Sequence, residues 1–333
     1  MTDDFEGQLA LKIAAYHHAA LLHAAIMLGL PERMEKRGVP ADTLAAERGL
    51  SAPHLHRLLR GLASLGICAE APDGTFALTP QGRCLLPGAR LRQKVQIVVA
   101  QYWRPWANLA ASVTTAKPAF EQVFGQTAAD WRRDHAEAGA LFDSYLAQEA
   151  HAQAPGIVAA LDLSRVESVA DLGGGHGGLL AGLLQANPDL RGVLFDHPHR
   201  IEAALPFLQA HGVADRVERI GGDLLTAIRL EADLYVLNGV LQQWDDANAR
   251  AILANCRKAM PQGGRLAIVE RLLPEQAVDD PAAIMLDLHM MAINGGRVRG
   301  LAEFAAMLSE TGFARAKATP TPSGLSVIFA VAA

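Results

Sequence analysis

The sequence has few cysteines, little net charge and no long run of purely apolar residues. Its three cysteines, Cys68, Cys84 and Cys256, lie too far apart to predict a disulfide framework or a zinc site. A net charge of −5 excludes the strongly basic surface with which proteins bind nucleic acids or anionic membranes. The apolar stretch Leu9–Leu30 contains Lys12 and three histidines, so it is a poor membrane span. We therefore expect a soluble, cytoplasmic protein that binds neither nucleic acid nor membrane.

The most informative motif is a glycine loop that joins an expected strand to an expected helix. Five glycines lie within residues 173–178, directly after the apolar stretch Val169–Leu172 and before a second apolar stretch that favours a helix. Only glycine allows so tight a turn and so close an approach of the backbone to a ligand. Because the first amides of the following helix point toward the same ligand, the motif indicates a nucleotide-type cofactor site.

Three acidic residues distinguish between the possible cofactors. Residues 173–178 satisfy G-x-G-x-x-G, so a dinucleotide site has to be considered. However, Asp171 lies two residues before the first glycine, where a carboxylate would repel a pyrophosphate but attract an ammonium group. Asp196 and Asp223 follow the next two expected strands, where they suit the ribose hydroxyls and the adenine amino group. Acids at three successive strand ends favour an adenosine that carries a cation, which describes S-adenosylmethionine (SAM).

From residue 168 onward, expected strands alternate with expected helices. This order predicts a parallel, Rossmann-like sheet with helices on both faces. Residues 314–331 instead predict a strand, a turn and a second strand, so a C-terminal β-hairpin is added to the edge of the sheet. The expected parallel strands are Val169–Leu172, Gly192–Asp196, Val217–Ile220, Asp233–Leu237 and Arg265–Val269.

The N-terminal part predicts a winged-helix unit. Residues 41–50 favour a short helix, and residues 54–65 favour a second helix with leucines on one face. Cys68–Thr79 predicts a two-stranded wing that turns at Asp73-Gly74. Such a unit can bind DNA through its second helix, but this helix lacks a dense basic stripe. We therefore favour a module for dimerisation or for covering a substrate.

Residues 91–160 are mostly helical in pattern and rich in aromatic side chains. These aromatics either form ordinary core or wall a planar ligand. We accordingly divide the chain into a winged-helix dimerisation domain (residues 1–90), a helical substrate-covering layer (91–160) and a SAM-binding catalytic domain (161–333). The expected fold class is α/β, with the α-helical domain preceding the Rossmann-like sheet.

In combination, these motifs resemble the class I SAM-dependent methyltransferases. More narrowly, the chain is similar to O-methyltransferase family 2, the caffeate and hydroxyindole type, whose bacterial members modify phenazines, anthracyclines and other secondary metabolites. The similarity covers nearly the whole chain. It is carried by the winged helix, by Trp106, Phe124-Gly125 and Phe142, and by Asp171–Gly177, Leu194–Pro198, Gly221–Asp223, Trp244–Asp246, Gly263–Glu270 and Asp287…Arg297.

The resemblance implies SAM as methyl donor, S-adenosylhomocysteine as product, no metal, and a homodimer formed through the N-terminal domain. The glycine loop would contact the methionine part of the cofactor, the second strand end its ribose, and the third its adenine. Asn238 lies where the family has a polar residue near the adenine or the sulfonium. The expected cofactor-binding residues are Asp171, Gly173, Gly175, Asp196, Gly222, Asp223, Leu224 and Asn238.

The chain departs from the family pattern at the expected general base. Most members have a histidine where this chain has Gln242, and two carboxylates that orient it. Glu270 retains the first carboxylate, whereas Val298 replaces the second. Glutamine cannot take up a proton, so a typical base contribution of about 10²–10⁴-fold is missing. We therefore expect catalysis by positioning, which can supply roughly 7–11 kcal/mol, on a nucleophilic ring nitrogen, an acidic phenol or a carboxylate.

Two histidines could replace the missing base. His289 lies where the family lines its acceptor pocket, and His151 follows the part of a helix that should border the methionine end of the cofactor. Either residue can equally be a hydrogen-bonded structural histidine. The candidate catalytic residues are therefore Gln242, Glu270 and His289. The candidate acceptor-binding residues are Trp103, Trp106, Phe142, Tyr145, His151, Met290 and Asn294.

The sequence thus predicts a SAM-dependent N- or O-methyltransferase for a small aromatic or heteroaromatic secondary metabolite. A second possibility is a SAM-binding enzyme that catalyses hydroxylation, decarboxylation or a pericyclic step, because some members of the family without the base do so. A third is a winged-helix regulator that senses a ligand. The mass of the product separates the first two, and specific binding to a DNA duplex would support the third.

Overall fold

The computed structural model describes residues 4–333, so the first three residues of the predicted domain 1–90 lie outside the described chain. The chain divides into two compact units, one ending at Trp103 and the other spanning Arg104–Ala333. Each unit contains buried apolar clusters of its own, one in the first unit and two in the second as far as the described residues show.

The first unit contains the predicted helix, turn, helix and wing, which are confirmed. Among its described strands, β3 lies between β1 and β2 and is antiparallel to both. The wing turns at Asp73-Gly74, where Gly74 takes a left-handed φ of 78°. The elements are α1 (Phe5–Ala14), α2 (Tyr16–Met27), α3 (Leu30–Arg33), β1 (Val39–Pro40), α4 (Ala41–Arg48), α5 (Ala52–Ser64), β2 (Cys68–Glu70), β3 (Thr75–Leu78) and α6 (Arg90–Ile97).

The N-terminal helices α1 and α2 leave apolar side chains exposed to solvent. Phe5, Leu9, Ile13 and Tyr16 recur every three or four residues, so they form one stripe, and each is more than half exposed. Within residues 4–333, only the stretch Phe5–Met27 is long and apolar enough to cross a membrane by length and composition. An exposed apolar stripe of this kind marks a surface that another molecule covers.

The second unit begins with a helical layer and continues as an α/β domain. Its helices are α7 (Trp103–Ala107, which starts at the last residue of the first unit), α8 (Leu109–Thr115), α9 (Ala119–Phe124), α10 (Ala128–Asp134), α11 (Ala136–Ala160), α12 (Gly178–Ala186), α13 (Pro198–Ala203), α14 (Leu205–Ala210), α15 (Asp246–Ala259), α16 (Pro281–Ile293) and α17 (Leu301–Glu310). Its strands are β4 (Ser168–Leu172), β5 (Arg191–Asp196), β6 (Val217–Gly221), β7 (Leu234–Asn238), β8 (Arg265–Glu270), β9 (Phe313–Pro320) and β10 (Ser326–Ala332).

The central sheet has the order β6-β5-β4-β7-β8-β10-β9 in the described chain. Strands β4 to β8 are parallel, and the C-terminal hairpin β9–β10 joins antiparallel through β10. The predicted parallel sheet and hairpin are therefore confirmed. The strand order reverses beside β4, which has β5 on one side and β7 on the other. Ligands of open α/β sheets bind outside the carboxyl ends of the strands at such a point.

Helices α11 and α12 pack closely because glycines face α11. A Cβ atom at Gly178 would overlap the carbonyl oxygen of Ala147, and one at Gly182 would overlap the Cβ of Ala154. The absence of side chains at these two positions lets the helices approach closely. This packing brings the middle of α11 next to the glycine loop that precedes α12.

Candidate active site

The glycine loop lies between the carboxyl end of β4 and the start of α12. Gly173, Gly175 and Gly177 have φ values of 71°, 57° and 77°, in the left-handed region that other residues avoid. A Cβ atom at Gly174 would lie 2.5 Å from the carboxyl group of Asp171. The backbone of the loop therefore forms an open cradle, and any residue other than glycine at these positions would fill or distort it.

Asp171 is buried beneath this cradle without hydrogen-bond partners. It is 1% exposed, and neither carboxylate oxygen has a hydrogen-bond partner at normal distance among residues 4–333, although the backbone amide of Leu180 faces it and opposes the rise of its pKa. Burial, together with the negative charge of Asp196, raises the pKa of Asp171 to about 7. A buried carboxylate of this kind is stabilised by a cation with N–H donors, which is what an ammonium group provides.

Asp196, at the end of β5, accepts hydrogen bonds from two backbone amides. Its Oδ2 accepts a hydrogen bond of 2.8 Å from the amide of Gly175, and its Oδ1 accepts one of 2.6 Å from the amide of His197. Arg200 approaches it at 3.9 Å and also lies 3.6 Å from Asp143 of α11. Neither Arg200 nor Asp143 was anticipated from the sequence. Arg200 lies on α13, four residues after Asp196, whereas the packing of α11 brings Asp143 to this strand end.

The segment after β6 lies beside the same loop. The amide of Gly222 donates to the carbonyl of Asp196 at 3.0 Å, and a side chain at Gly222 would overlap the ring of Phe195. Asp223 Oδ1 accepts the amide of Leu225 at 2.8 Å, and the side chain of Leu224 reaches the position of Gly173. The predicted residues Asp171, Gly173, Gly175, Asp196, Gly222 and Leu224 are thus brought together, and Asp223 lies between the last two in sequence.

Asn238 and Glu270 end the neighbouring strands β7 and β8. Glu270 is 1% exposed, and its Oε1 accepts a hydrogen bond of 2.9 Å from the backbone amide of Gln242. Its Oε2 is buried and has no partner among the described residues. Burial raises the pKa of Glu270 to about 7, although the Gln242 amide and the charge of Arg299 act in the opposite direction.

Arg299 clamps the turn that carries Gln242, and sequence reasoning missed it. The guanidinium is fully buried and donates to the carbonyls of Leu241 and Trp244 at 2.9 and 2.8 Å, and to Asp246 Oδ1 at 3.0 Å. Gln242 is therefore fixed through its main chain from two sides, by Glu270 and by the clamp. The hint in the sequence was an arginine one residue after Val298, but nothing in its spacing indicated burial.

A carboxylate does lie near Val298, but it comes from α16. Val298 is buried, and its amide donates to Asp287 Oδ1 at 2.8 Å. Nearby, Gly296 packs so tightly on the turn that a Cβ atom would overlap the carbonyl oxygen of Gln242. The loop after α16 therefore borders the Gln242 turn directly.

The structure brings together Trp106 and His289, which were assigned separately to the acceptor site. The indole Nε1 of Trp106 donates to Nδ1 of His289 at 3.1 Å. The two rings lie edge to edge, with centroids 6.2 Å apart and planes inclined by 22°. Met290 beside His289 is buried, and Asn294 lies one turn further along, at the end of the helix.

The remaining candidates lie in other surroundings. In α11, Phe142 is covered by the guanidinium of Arg132, 3.6 Å from the ring centroid, and Tyr145 lies one turn further on. His151 packs against the ring of His211, with centroids 4.3 Å apart, and its buried Nδ1 has no partner in the described chain. Trp103 belongs to the first unit, where it makes an edge contact with Tyr16.

Within residues 4–333, no group of three or more His, Cys, Asp and Glu side chains is arranged to hold a metal ion. The adjacent histidines His197 and His199 are both exposed, with ring centroids 5.9 Å apart.

Two family models match most of the chain. One, described as an O-methyltransferase domain, matches residues 106–314, and the other, an O-methyltransferase dimerisation domain, matches residues 12–88. The phenazine O-methyltransferase PhzM of Lysobacter antibioticus is 37% identical over 323 residues, which cover 95% of this chain and 93% of the relative. The phenazine-1-carboxylate N-methyltransferase of Pseudomonas aeruginosa is 30% identical over 315 residues, covering 94% and 93%.

A solved structure with bound cofactor is similar as well. The O-methyltransferase NcsB1 from neocarzinostatin biosynthesis, in complex with SAM and 2-hydroxy-5-methyl naphthoic acid, superimposes with a TM-score of 0.79. It is 28% identical, and the match covers 95% of this chain and 96% of that chain.

Proposed function

This chain belongs to the family of SAM-dependent O-methyltransferases, and on that premise we propose that it methylates an oxygen or nitrogen of a planar aromatic secondary metabolite without a general base at position 242. The relatives named above methylate phenazines at oxygen or at nitrogen, which supports a tricyclic or similar heteroaromatic acceptor. When bound, SAM supplies an electrophilic methyl group on a sulfonium centre.

The observation that carries the proposal is the buried, unpartnered carboxyl of Asp171 beneath the glycine cradle. Its two oxygens fit the ammonium of a bound methionine part, because an ammonium offers both positive charge and N–H donors. Asp196 would hold the ribose, since each of its oxygens keeps a lone pair beyond the bond to the backbone. The segment Gly222–Leu224 and Asn238 would border the adenine and the sulfonium side.

On the acceptor side, residue 242 can help to position the acceptor but cannot take up a proton from it. The main chain of Gln242 is held by Glu270 and by the Arg299 clamp, so its amide side chain can orient a polar group of the acceptor. Glu270 already accepts a backbone bond and serves to fix this turn. Proximity alone can supply roughly 7–11 kcal/mol to such a displacement. An acceptor whose nucleophile is a ring nitrogen has no proton to lose.

The proposal is tested by product mass. The protein is incubated with SAM and either phenazine-1-carboxylate or 1-hydroxyphenazine, and we expect one added CH₂ per product with an equal amount of S-adenosylhomocysteine. A product of changed mass without S-adenosylhomocysteine would instead support hydroxylation or decarboxylation. A product of unchanged mass would support a pericyclic step.

Cofactor binding is measured separately by calorimetry. We expect Asp196→Ala to abolish detectable SAM binding, whereas Asp189→Ala, which removes an exposed carboxylate in the turn before β5, should bind SAM like the parent protein. Tight binding of NAD without binding of SAM would overturn the cofactor assignment.

A further inference from the structure

Asn255 is a buried polar side chain in an otherwise apolar part of α15. It is 8% exposed, and its neighbours Ile252 and Cys256 belong to an apolar cluster of the second unit. Burying an amide costs free energy unless the amide is hydrogen-bonded. The partners of this side chain therefore indicate its role.

The side-chain amide of Asn255 has a defined orientation. Its Nδ2 donates to the carbonyl oxygen of Leu224 at 2.9 Å, and its Oδ1 lies 3.5 Å from Nζ of Lys258. A carbonyl oxygen can only accept a hydrogen bond, and a lysine ammonium can only donate one. The nitrogen therefore has to face Leu224 and the oxygen Lys258, because exchanging the two atoms would lose both bonds.

The bond to Leu224 reaches Asp223 through a single peptide unit. The carbonyl of Leu224 and the amide of Leu225 belong to the same planar peptide group. The carbonyl accepts the bond from Asn255, and the amide donates to Oδ1 of Asp223 at 2.8 Å. Hydrogen bonds that form such a chain strengthen one another. The orientation of this peptide, and with it the position of the Asp223 carboxylate, therefore depends on Asn255.

The same segment lies at the glycine loop. The amide of Gly222 donates to the carbonyl of Asp196 at 3.0 Å, and a Cβ atom at Gly173 would lie 3.3 Å from the side chain of Leu224. Within residues 4–333, no hydrogen bond occupies Oδ2 of Asp223 or the amide of Leu224. Together they offer an acceptor next to a donor. Adenine presents the complementary pair, since its 6-amino group lies beside the ring nitrogen N1.

We propose that Asn255 is a positioning residue for recognition of the base: it holds the peptide that orients Asp223 toward the 6-amino group of adenine. This inference rests on the proposed function and deepens it, because it names a residue that sets the selectivity of the cofactor site for adenine. Asn255 acts through the peptide and needs no contact with the cofactor. Its removal therefore weakens recognition of the base and leaves the residues for the ammonium and the ribose in place.

Base selectivity is measured by calorimetry with two ligands that differ only at the edge of the base. S-adenosylhomocysteine has a 6-amino group, whereas S-inosylhomocysteine has a 6-oxo group and a hydrogen on N1. We expect the parent protein to bind the first at least about 100-fold more tightly, because the second loses the hydrogen bonds to Asp223 and Leu224. In Asn255→Ala, Kd for S-adenosylhomocysteine should rise about tenfold, and Kd for S-inosylhomocysteine should change less than about threefold.

Cys256→Ala is the matched control, because it truncates the next side chain of the same helix. Cys256 is fully buried and packs in the apolar cluster. This variant should have a lower melting midpoint but the base selectivity of the parent. Asn255→Leu is a second test variant, which keeps a side chain branched at Cγ but has no polar atoms. It should lose selectivity like Asn255→Ala, and melting curves show that the variants compared are folded.

A double-mutant cycle tests the route through Asp223. In Asp223→Ala, which lacks the carboxylate, adding Asn255→Ala should change Kd for S-adenosylhomocysteine by less than about threefold. A tenfold loss in that background would overturn the proposal, and so would an equal loss for both ligands in Asn255→Ala. Selective binding that Asn255→Ala leaves unchanged would overturn this inference alone. A parent protein that binds neither ligand would overturn the proposed function, and the inference with it.

Discussion

Two carboxyl groups in the site are buried, and at least one oxygen of each has no hydrogen-bond partner among the described residues. Asp171 and Glu270 both have a pKa raised to about 7, and burial is the main cause for each. Such groups destabilise a folded protein when they are charged. Asp171 and Glu270 lie at the carboxyl ends of β4 and β8, which are separated by β7. Their burial therefore favours the site at the expense of the fold, as is common where a ligand completes the set of interactions.

Asp171→Asn is expected to stabilise the protein without cofactor at high pH. The carboxyl has a pKa of about 7 in the folded protein and an ordinary value of 3.8, so the folded state holds more protons between these values. Its contribution to stability is present below pH 3.8 and is lost as the pH rises through 7. Calorimetric unfolding should show a midpoint raised above the parent by roughly 10 °C at pH 8, and by less than half as much at pH 5.

The same variant should bind SAM far more weakly, because an amide cannot balance an ammonium. A lower midpoint at pH 8, or an identical difference at both pH values, would contradict the assignment of the buried charge to Asp171.

Gln242→His tests whether a base at this position is needed. Because the main chain of residue 242 is already fixed, the imidazole can enter the turn without rearrangement. We expect kcat to change less than about threefold on phenazine-1-carboxylate, if its ring nitrogen is the nucleophile. On a weakly acidic phenol the gain should approach 10²-fold, the lower end of a typical base contribution. Steady-state rates on both acceptors, with Gln242→Leu as control, measure this; a large gain at the nitrogen would show that a base was lacking there.

At the scale of secondary structure elements, the close approach of α11 and α12 sets the position of the glycine loop. Gly182→Ala should clash with Ala154, which costs about 1–3 kcal/mol in a packed interior. In a unit of this size the melting midpoint should fall by about 2–10 °C. Adding Ala154→Gly should recover part of the loss, because it removes the opposing Cβ atom.

Gly300→Ala is the matched control for this prediction. Its added Cβ would meet its nearest neighbour, the carbonyl oxygen of Leu273, at 3.4 Å, and its φ of −80° suits alanine. Because alanine is a weaker N-cap of α17 than glycine, we expect the midpoint to fall slightly, and by less than in Gly182→Ala. If the double variant loses as much stability as the two single variants together, the two helices do not meet at Gly182 and Ala154.

At the scale of the whole molecule, the apolar stripe of α1 needs a partner. A dimerisation domain matches residues 12–88, so we expect a second copy of this chain to cover Phe5, Leu9, Ile13 and Tyr16. Sedimentation should show a dimer for the parent protein and a monomer for Leu9→Glu combined with Ile13→Glu. Val278→Glu changes a still more exposed apolar residue of the second unit and should leave the dimer intact.

A dimer that persists in the double variant would assign the interface to another surface. If the parent protein is a monomer, the prediction is wrong and a different molecule covers the stripe.

Much of the fold, and the convergence of the glycine loop with the acidic strand ends, could be predicted from the sequence because these signals are local. The carboxyl ends of parallel strands lie at one edge of a sheet. Glycine turns and acidic residues that directly follow such strands are therefore brought close together. The Arg299 clamp could not be predicted, since it joins two loops more than 50 residues apart and no periodicity marks it. The pairing of Trp106 with His289 was hidden for the same reason, with 183 residues between them.

The main-chain anchoring of residue 242 has a consequence for the chemistry that one scaffold can serve. Glu270 and Arg299 grip the amide and carbonyls around this position and make no use of its side chain. Under the proposed function, a substitution at this position would change the acid–base chemistry offered to the acceptor without removing the main-chain contacts that hold the turn. The same scaffold could then serve a nitrogen or an oxygen nucleophile through a change of one side chain.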